Sequence, residues 1–220
     1  MAKVVIFGVR DFASLGHYYL RKDSPHEVVA FTVHKAFMPT EPTFEGLPVV
    51  PFEDLGSRFP PSEFSAFAPM SHSKMNTARE AVYNELKALG YSLISYISSH
   101  ATCLNEGAIG DNCFILEDNT IQPFVTIGSN VVLWSGNHIG HHSQIKDHVF
   151  FTSHVVLSGH CVVNPYCFLG VNATIRDQLN LAEGTLIGMS AIITKSTEPW
   201  SVYKADGSRA SKISSKDLDF

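Results

Sequence analysis

Histidines near the middle of the chain are the residues best suited to chemistry. Eleven histidines occur in 220 residues, and six of them fall in one short stretch: His138, His141, His142, His148, His154 and His160. An imidazole has an unperturbed pKa near 6.5, so it can accept a proton at neutral pH or bind a metal ion. Which of the six could act depends on the element that carries them.

That element is defined by a six-residue repeat. From Ile109 to Ile193 every sixth residue is large and apolar: Ile109, Ile115, Ile121, Ile127, Leu133, Ile139, Ile145, Phe151, Leu157, Val163, Leu169, Ile175, Leu181, Ile187 and Ile193. Four residues after these positions the side chain is mostly small, as at Cys113, Ala173 and Ala191. A period of six fits neither a 3.6-residue helix nor a hairpin sheet. It is typical of a parallel β-helix, in which each hexad supplies one short strand and one turn, and three hexads close a triangular coil.

The repeat also assigns positions to the histidines. His142, His148, His154 and His160 recur every six residues and so occupy the turns. The first three lie on different corners of the triangle, and His160 lies one coil above His142. We therefore do not expect these four histidines of one chain to converge on a metal, and His148 in particular is expected to be a solvent-facing or interface residue. His141 lies beside a turn, where a neighbouring prism could enclose it.

The first hundred residues follow a different pattern. Strands are predicted at 3–8, 27–33, 47–52, 64–70 and 91–98, and helices at 11–22 and 74–89. Strands alternating with helices indicate a small parallel α/β sheet of Rossmann-like character. The predicted domains are an α/β domain at residues 1–100, a β-helix at 101–198 and a carboxy-terminal tail at 199–220. The tail is expected to be a loop with a partly mobile end, in which Trp200 has at most a packing role.

Two turns of the α/β domain could hold a ligand. Gly8 follows the first strand and precedes Arg10 and Asp11, while Ser73 and Lys74 lie between the fourth strand and a helix. Ligands of open α/β sheets bind at the carboxyl ends of the strands, where both turns are expected. Gly8 is a single glycine without the full GxGxxG pattern, so a simple tight turn is an alternative. Together the turns favour a nucleotide or nucleotide-sugar site.

Composition excludes several classes of function. The formal net charge is −5 and no basic stripe is present, which argues against nucleic-acid binding. The first residues lack a signal peptide and no segment could span a membrane, so a cytoplasmic protein is expected. Three of the four cysteines, at 113, 161 and 167, take the small inward position of their hexads. They are expected to be buried thiols rather than disulfides or metal ligands.

The run Trp134-Ser135-Gly136-Asn137-His138-Ile139-Gly140-His141-His142, followed by Ser158-Gly159-His160, carries a family resemblance. It resembles the bacterial sugar acyltransferases of the sialic-acid O-acetyltransferase type, including the nucleotide-aminosugar N-acetyltransferases of the bacillosamine and perosamine pathways. The likeness extends over nearly the whole chain. It implies an α/β domain followed by a left-handed β-helix, a homotrimer, acetyl-CoA as co-substrate and a nucleotide-linked sugar as acceptor, without a required metal.

The resemblance also implies roles for particular residues. Counting back six residues from Asp147 places the general base at His141, with His142 beside it. The backbone N–H of Gly159 corresponds to an oxyanion donor. The resemblance assigns the nucleotide to the α/β domain, where the two turns described above offer Gly8, Arg10, Asp11, Ser73 and Lys74 as candidate binding residues. Later coils would line the CoA arm through Gly159, Gly170, Asn172, Ala173, Gly188 and Ser190.

Two departures affect the acceptor. Many relatives have a carboxylate directly after the catalytic histidine, where this chain has His142, and some have a polar residue where it has Phe150. The predicted reaction is direct acetyl transfer to an amine or a hydroxyl, with His141 as general base. The alternatives are transfer to a non-nucleotide acceptor, a non-catalytic scaffold, or a zinc carbonic anhydrase of the β-helix class. The last needs two histidines five residues apart, and no pair between His138 and His160 has that spacing.

Overall fold

The amino-terminal part of the chain forms a five-stranded mixed sheet. The computed structural model describes residues 1–208, 210 and 216. The sheet has the order β3-β4-β2-β1-β5, and its strands are β1 (Lys3–Phe7), β2 (Glu27–Val33), β3 (Thr43–Phe44), β4 (Leu47–Pro51) and β5 (Ser65–Phe67). The pairs among β1, β2, β4 and β5 are parallel. Alternation of strands with helices thus produced the parallel core of the sheet, as predicted.

An antiparallel edge strand departs from the prediction of an all-parallel sheet. β3 pairs antiparallel with β4 through a two-residue turn at Glu45 and Gly46, both at positive φ. Two-residue hairpin turns need positive φ because their twist then matches that of the strands. A strand of two residues is too short to show an alternation of apolar and polar side chains, so β3 was not predicted from the sequence.

Three α-helices accompany the sheet: α1 (Asp11–Asp23), α2 (Leu55–Arg58) and α3 (Thr77–Ala88). Ala13 and Leu20 of α1 are buried on one side of the sheet, with Ile6 and Phe31. On the other side, α3 packs in a second apolar cluster, through Val82 and Leu86 among others. A membrane-spanning helix is absent from the described residues.

The hexads form a prism with three sheets of parallel two-residue strands. The six-strand face contains Thr102–Cys103, Thr120–Ile121, His138–Ile139, Val156–Leu157, Thr174–Ile175 and Ile192–Ile193. The four-strand face contains Thr126–Ile127, Gln144–Ile145, Val162–Val163 and Asn180–Leu181. The seven-strand face contains Tyr96–Ile97, Phe114–Ile115, Val132–Leu133, Phe150–Phe151, Phe168–Leu169, Leu186–Ile187 and Val202–Tyr203. The architecture is a left-handed parallel β-helix: the repeat predicted the parallel β-helix, and the family resemblance implied its left-handed sense.

The repeat fills the interior of the prism. Every large apolar position from Ile115 to Ile193 is buried, and Ile109 packs partly buried against the same cluster. The small positions are buried as well. They include three unpaired cysteines, and burial raises the pKa of the Cys113 and Cys167 thiols to about 12. These cysteines therefore serve as compact apolar side chains, as predicted.

Three corners join the faces, and each carries a ladder of residues spaced by one coil. We call the corner between the six-strand and four-strand faces the histidine corner; its positive-φ residues are Phe124, His142, His160 and Gln178. The Asn172 corner, between the seven-strand and six-strand faces, includes Asp118, His154, Asn172 and Ser190. The His148 corner, between the four-strand and seven-strand faces, includes Asn112, Asn130, His148 and Tyr166.

The α/β domain covers the seven-strand face. Outward side chains of that face, Phe114, Val132 and Phe150, are buried in one cluster with residues of the sheet and of α1. Phe12 of α1 makes an edge contact with Trp134 at 5.7 Å between ring centroids. Phe150 is therefore apolar because it is a contact residue beneath the domain, which accounts for its departure from the polar residue of some relatives.

A buried arginine fastens α3 to the prism. The Arg79 side chain is completely buried and donates to the carbonyl oxygens of Asn130, at 3.2 Å, and of His148, at 3.0 Å. Further hydrogen bonds reach the carbonyls of Ser71 and Val149 and the side chain of Asn76. Burial lowers the pKa of the guanidinium, which donates to these neutral oxygens and lies 5.6 Å from the centroid of the Phe150 ring.

The tail adds a strand to the prism. Val202–Tyr203 pairs in parallel with Leu186–Ile187, where the sequence analysis predicted only a loop. The Trp200 ring lies against Gly184 and stacks on Tyr166 with 6.0 Å between centroids, a packing role as expected. The predicted mobile end, at residues 209, 211–215 and 217–220, lies outside the described residues.

Candidate active site

His141 is held at the histidine corner by its neighbours in the coil. It follows the strand His138–Ile139, and its backbone N–H donates to Oε1 of Gln122 at 2.8 Å. Its side chain is exposed, and its Nδ1 lies 3.0 Å from Nδ1 of His142. The ring is therefore fixed on one side by a hydrogen bond and open to the surroundings on the other.

The contact between His141 and His142 decides which nitrogen can act as a base. If Nδ1 of His141 donates to a neutral His142, the free lone pair of His141 is on Nε2; the reverse direction would put the proton on Nε2. Partial desolvation, together with the nearby His160 and His141, lowers the pKa of His142. A lowered pKa keeps His142 neutral and able to accept. His142 can thus accept a hydrogen bond from Nδ1 of His141 and orient the His141 ring.

Gly159 lies directly beneath the His141 ring. A β-carbon at Gly159 would be 2.9 Å from Cε1 and 3.0 Å from Nε2 of His141. The Gly159 carbonyl accepts from the N–H of Gln178 at 3.0 Å. Its own N–H has no hydrogen-bond acceptor within the part of the chain that the structure describes. A base nitrogen and a backbone donor are therefore adjacent at this corner.

Replacing Gly159 by alanine should displace the His141 ring. The φ of Gly159 is an ordinary negative one, so the steric contact with the imidazole is the main effect of the added methyl group. A misplacement of about 1 Å can cost about 10²-fold in rate, and we expect a loss of that order in kcat for any reaction that uses His141. Thermal unfolding should change little.

The matched control is Gly56→Ala in α2, where an added β-carbon meets nothing within 4 Å. Circular dichroism of both variants checks the fold. A Gly159→Ala protein with unaltered turnover would show that the His141 ring need not lie over residue 159.

Three histidines converge at this corner, a cluster that the sequence analysis did not predict. His142 and His160 stack with 4.7 Å between centroids and 13° between planes. His141 meets both edge-on, and one ring nitrogen from each of the three lies within 4.8 Å of the others. The four turn histidines do not converge as a set, but the 18-residue coil aligns His142 with His160, and His141 adds a third ring to that pair.

The other central histidines lie elsewhere. His148 is half-buried beside α3, with Nε2 3.7 Å from Glu80 and Nδ1 2.9 Å from the Asn130 amide. Burial lowers its pKa, and it is an interface residue, as expected. His154 is exposed at the Asn172 corner, above Gly136.

The predicted nucleotide turn opens onto a cavity. A space of about 370 Å³ lies at the end of β1 and is lined by Val9, Arg10, Asp11, Ser14, Phe44 and Glu45. Glu45, in the β3–β4 turn, accepts a hydrogen bond from Ser14 of α1, so the hairpin closes one side. Gly8 has φ +115°, a conformation that favours glycine, and a β-carbon added there would lie only 3.2 Å from Cβ of Ala13.

The second predicted turn stands apart from this cavity. Ser73 and Lys74 are exposed and do not line it, although β5, which precedes them, is next to β1 in the sheet. The neighbouring His72 contacts Phe168 with 4.6 Å between centroids. The structure brings Arg10 and Asp11 together, and leaves Ser73 and Lys74 on the adjacent turn.

The residues predicted to bind CoA form a second group, separate from His141 in one chain. Gly170, Asn172, Ala173, Gly188 and Ser190 all lie at the Asn172 corner, across the six-strand face from the histidine corner. A β-carbon at Gly170 would lie 2.5 Å from the backbone N of Met189, so close stacking of coils requires glycine there. Gly159 alone of the predicted CoA residues is beside His141.

A larger open groove adjoins the histidine corner. It has a volume of about 600 Å³ and is lined by residues 104–108 and 123–126. Phe124, on its wall, is 4.6 Å from His142 between ring centroids. This groove was not predicted from the sequence. It is formed by turns of two stacked coils, and these turns contain no recognisable sequence motif.

Comparisons with known proteins agree with this architecture. Residues 108–141 match the family model of the bacterial transferase hexapeptide, six repeats. The acetyltransferase domain of PglB from Neisseria gonorrhoeae, in complex with acetyl coenzyme A, superposes with a TM-score of 0.80 at 18% identity, over 91% of this chain and 94% of that one. No curated protein sequence matches the chain.

Two further solved structures have the same fold. A histidine-to-asparagine mutant of perosamine N-acetyltransferase from Caulobacter crescentus, in complex with CoA and GDP-perosamine, has a TM-score of 0.78 at 18% identity, covering 94% of this chain and 98% of that one. WeeI from Acinetobacter baumannii has a TM-score of 0.77 at 19% identity, covering 92% and 96%. The solved structures share the fold that the resemblance implied, and the family model matches the six-residue repeat over residues 108–141.

Proposed function

We propose that the protein transfers an acetyl group from acetyl-CoA to a nucleotide-linked aminosugar. The observation that carries the proposal is the position of His141, held at Nδ1 by His142 and lying over Gly159. The shared fold with structures that bind acetyl coenzyme A, or CoA and GDP-perosamine, supports the choice of donor and acceptor.

The transfer is direct, without an acyl-enzyme. The amino nitrogen of the sugar attacks the thioester carbonyl while Nε2 of His141 removes its proton. The carbonyl oxygen becomes an oxyanion, which accepts from the N–H of Gly159. The tetrahedral intermediate then expels the CoA thiolate and leaves an amide on the sugar. Orientation of the two substrates in one cleft supplies much of the rate.

Two copies of the chain contribute to each site. The α/β domain covers the seven-strand face, and the histidine corner lies opposite that face. A sugar bound through Arg10 and Asp11 therefore approaches the His141 of another copy. The six-strand face exposes apolar side chains, Val156 at 40% and Ile192 at 73%, which suits burial in a homotrimer.

The same arrangement assigns the CoA arm. In a trimer, the Asn172 corner of one copy comes next to the histidine corner of its neighbour, across the six-strand face. Gly170, Asn172, Ala173, Gly188 and Ser190 then form one wall of the groove that holds the CoA arm, and Gly159 forms the other. The cavity at Arg10 and Asp11 has polar groups on its rim and Phe44 as an apolar wall, a combination suited to a nucleotide.

The test is release of CoA thiol from acetyl-CoA with a panel of UDP-, dTDP- and GDP-linked sugars, each with an amino or a hydroxyl group at the acceptor position. We expect rapid release with one aminosugar. Release with a hydroxy sugar alone would make the protein an O-acetyltransferase. Failure of acetyl-CoA to bind at all would overturn the proposal in favour of a non-catalytic scaffold.

A further inference from the structure

We propose that His141, His142 and His160 form a site for a divalent transition-metal ion of the zinc class, and that the bound ion blocks acetyl transfer. Only the second part of this proposal, inhibition of acetyl transfer by the ion, rests on the proposed function. The first part, metal binding, depends solely on the three imidazoles.

The geometry of the cluster suits such an ion. Ring nitrogens from the three histidines lie within 4.8 Å of one another. Tetrahedral zinc with nitrogen ligands at 2.0–2.1 Å requires nitrogens about 3.4 Å apart. The nitrogens of these exposed side chains can close the gap between the two distances by rotation about χ1 and χ2, which does not disturb the core. Three histidines leave the fourth position to water, as in other open zinc sites.

The backbone brings the ligands together without a flexible loop. His142 and His160 occupy the same turn position in successive coils, with φ of 60° and 57°. The N–H of His160 donates to the carbonyl of His141 at 2.9 Å, which ties the third ligand to the other two. A metal site on a rigid scaffold needs little ordering on binding.

The chemistry of the three side chains also favours a transition-metal ion. Only a neutral imidazole can ligate. Imidazole nitrogen is a preferred ligand for zinc, copper and nickel, and a poor one for magnesium or calcium.

Ligation removes the base whichever nitrogen of His141 is used. If Nε2 binds the ion, its lone pair is occupied. If Nδ1 binds, the remaining proton of the neutral ring is on Nε2, which then cannot accept another. The ion should therefore inhibit, and chelation should restore activity.

The experiment begins with the purified, metal-stripped protein titrated with Co²⁺, followed by the visible absorbance of tetrahedral cobalt. We expect one ion per chain. In His160→Asn, which loses a ligand but keeps a residue tolerant of positive φ, the affinity should fall at least about tenfold. His154→Asn, at the same hexad position on another corner, should bind Co²⁺ as the unaltered protein does.

Zinc inhibition is then measured in the CoA-release assay. Zn²⁺ should inhibit the unaltered protein over the concentration range in which it displaces Co²⁺, and EDTA should reverse this. His160→Asn should retain basal transfer and resist Zn²⁺. Unchanged Co²⁺ affinity in His160→Asn would overturn the site, and Zn²⁺ binding without inhibition would overturn the regulation. A metal-free protein without any transfer would instead count against the proposed function, with the site still judged by the cobalt titration.

Discussion

Replacing His141 by asparagine should lower kcat for acetyl transfer by about 10²–10⁴-fold, the usual contribution of a general base. Asparagine has a similar size and can still hydrogen-bond to His142, but it cannot take a proton from the attacking amine. Because His141 is an exposed corner residue, the fold and the affinities for acetyl-CoA and sugar nucleotide should be preserved. Steady-state kinetics and calorimetric titration of both ligands measure these quantities.

The control for this variant is His100→Asn, the same change at an exposed histidine of the first coil. It should leave kcat unchanged. Turnover of His141→Asn within about threefold of the unaltered protein would remove His141 from its role as base.

Replacing Arg79 by methionine should destabilise the protein by at least about 3 kcal/mol, since a buried acceptor that loses its donor costs about 1–3 kcal/mol. Methionine fills part of the volume but donates nothing to the carbonyls of Ser71, Asn130, His148 and Val149. For a chain of this size such a loss corresponds to a fall in Tm of about 6–12 °C. Urea and thermal unfolding measure it.

Lys87→Met is the matched control, because Lys87 is a second cation on α3 that reaches the prism. It pairs with Asp111 at 2.7 Å, but at the surface, where such pairs contribute about 0–1 kcal/mol. Equal destabilisation by both variants would mean that burial of Arg79 is not what fastens α3 to the β-helix.

The fold could largely be predicted because the hexad period uses one buried position per strand. Each large apolar residue, such as Ile139 or Ile175, fixes the register of its own coil, and burial confirmed the pattern. The hairpin at Glu45 and Gly46 could not be predicted in this way, because its strands are too short to alternate. The burial of Arg79 against the β-helix could not be predicted from the sequence either, because the carbonyl groups that it binds in the β-helix are distant in sequence.

The candidate site was predictable in part. The position of Gly159 under His141 agrees with the resemblance. The contact between Gly159 and the ring, however, depends on the rotamer of His141, which the spacing of residues along the sequence does not determine. The convergence of three histidines had an available signal: His142 and His160 are separated by one full coil, and His141 adjoins the first. That signal was missed because only the turn positions were compared.

The sequence separation between paired strands has a consequence for how the β-helix unfolds locally. In the coils up to Ile193, each strand pairs with the one 18 residues away, as at Val132↔Phe150, and the last pair, Leu186↔Val202, is 16 residues apart. Each coil therefore contacts only its neighbours, and stability is transmitted along one dimension. The α/β domain covers Tyr96, Phe114, Val132 and Phe150, and Phe168 packs against their cluster, whereas Leu186 lies beyond it. Native-state amide exchange should therefore be slowest in the covered coils and fastest after residue 170. The coils proposed to hold CoA are then the first to open locally. A bound ligand should protect the amides of these coils most.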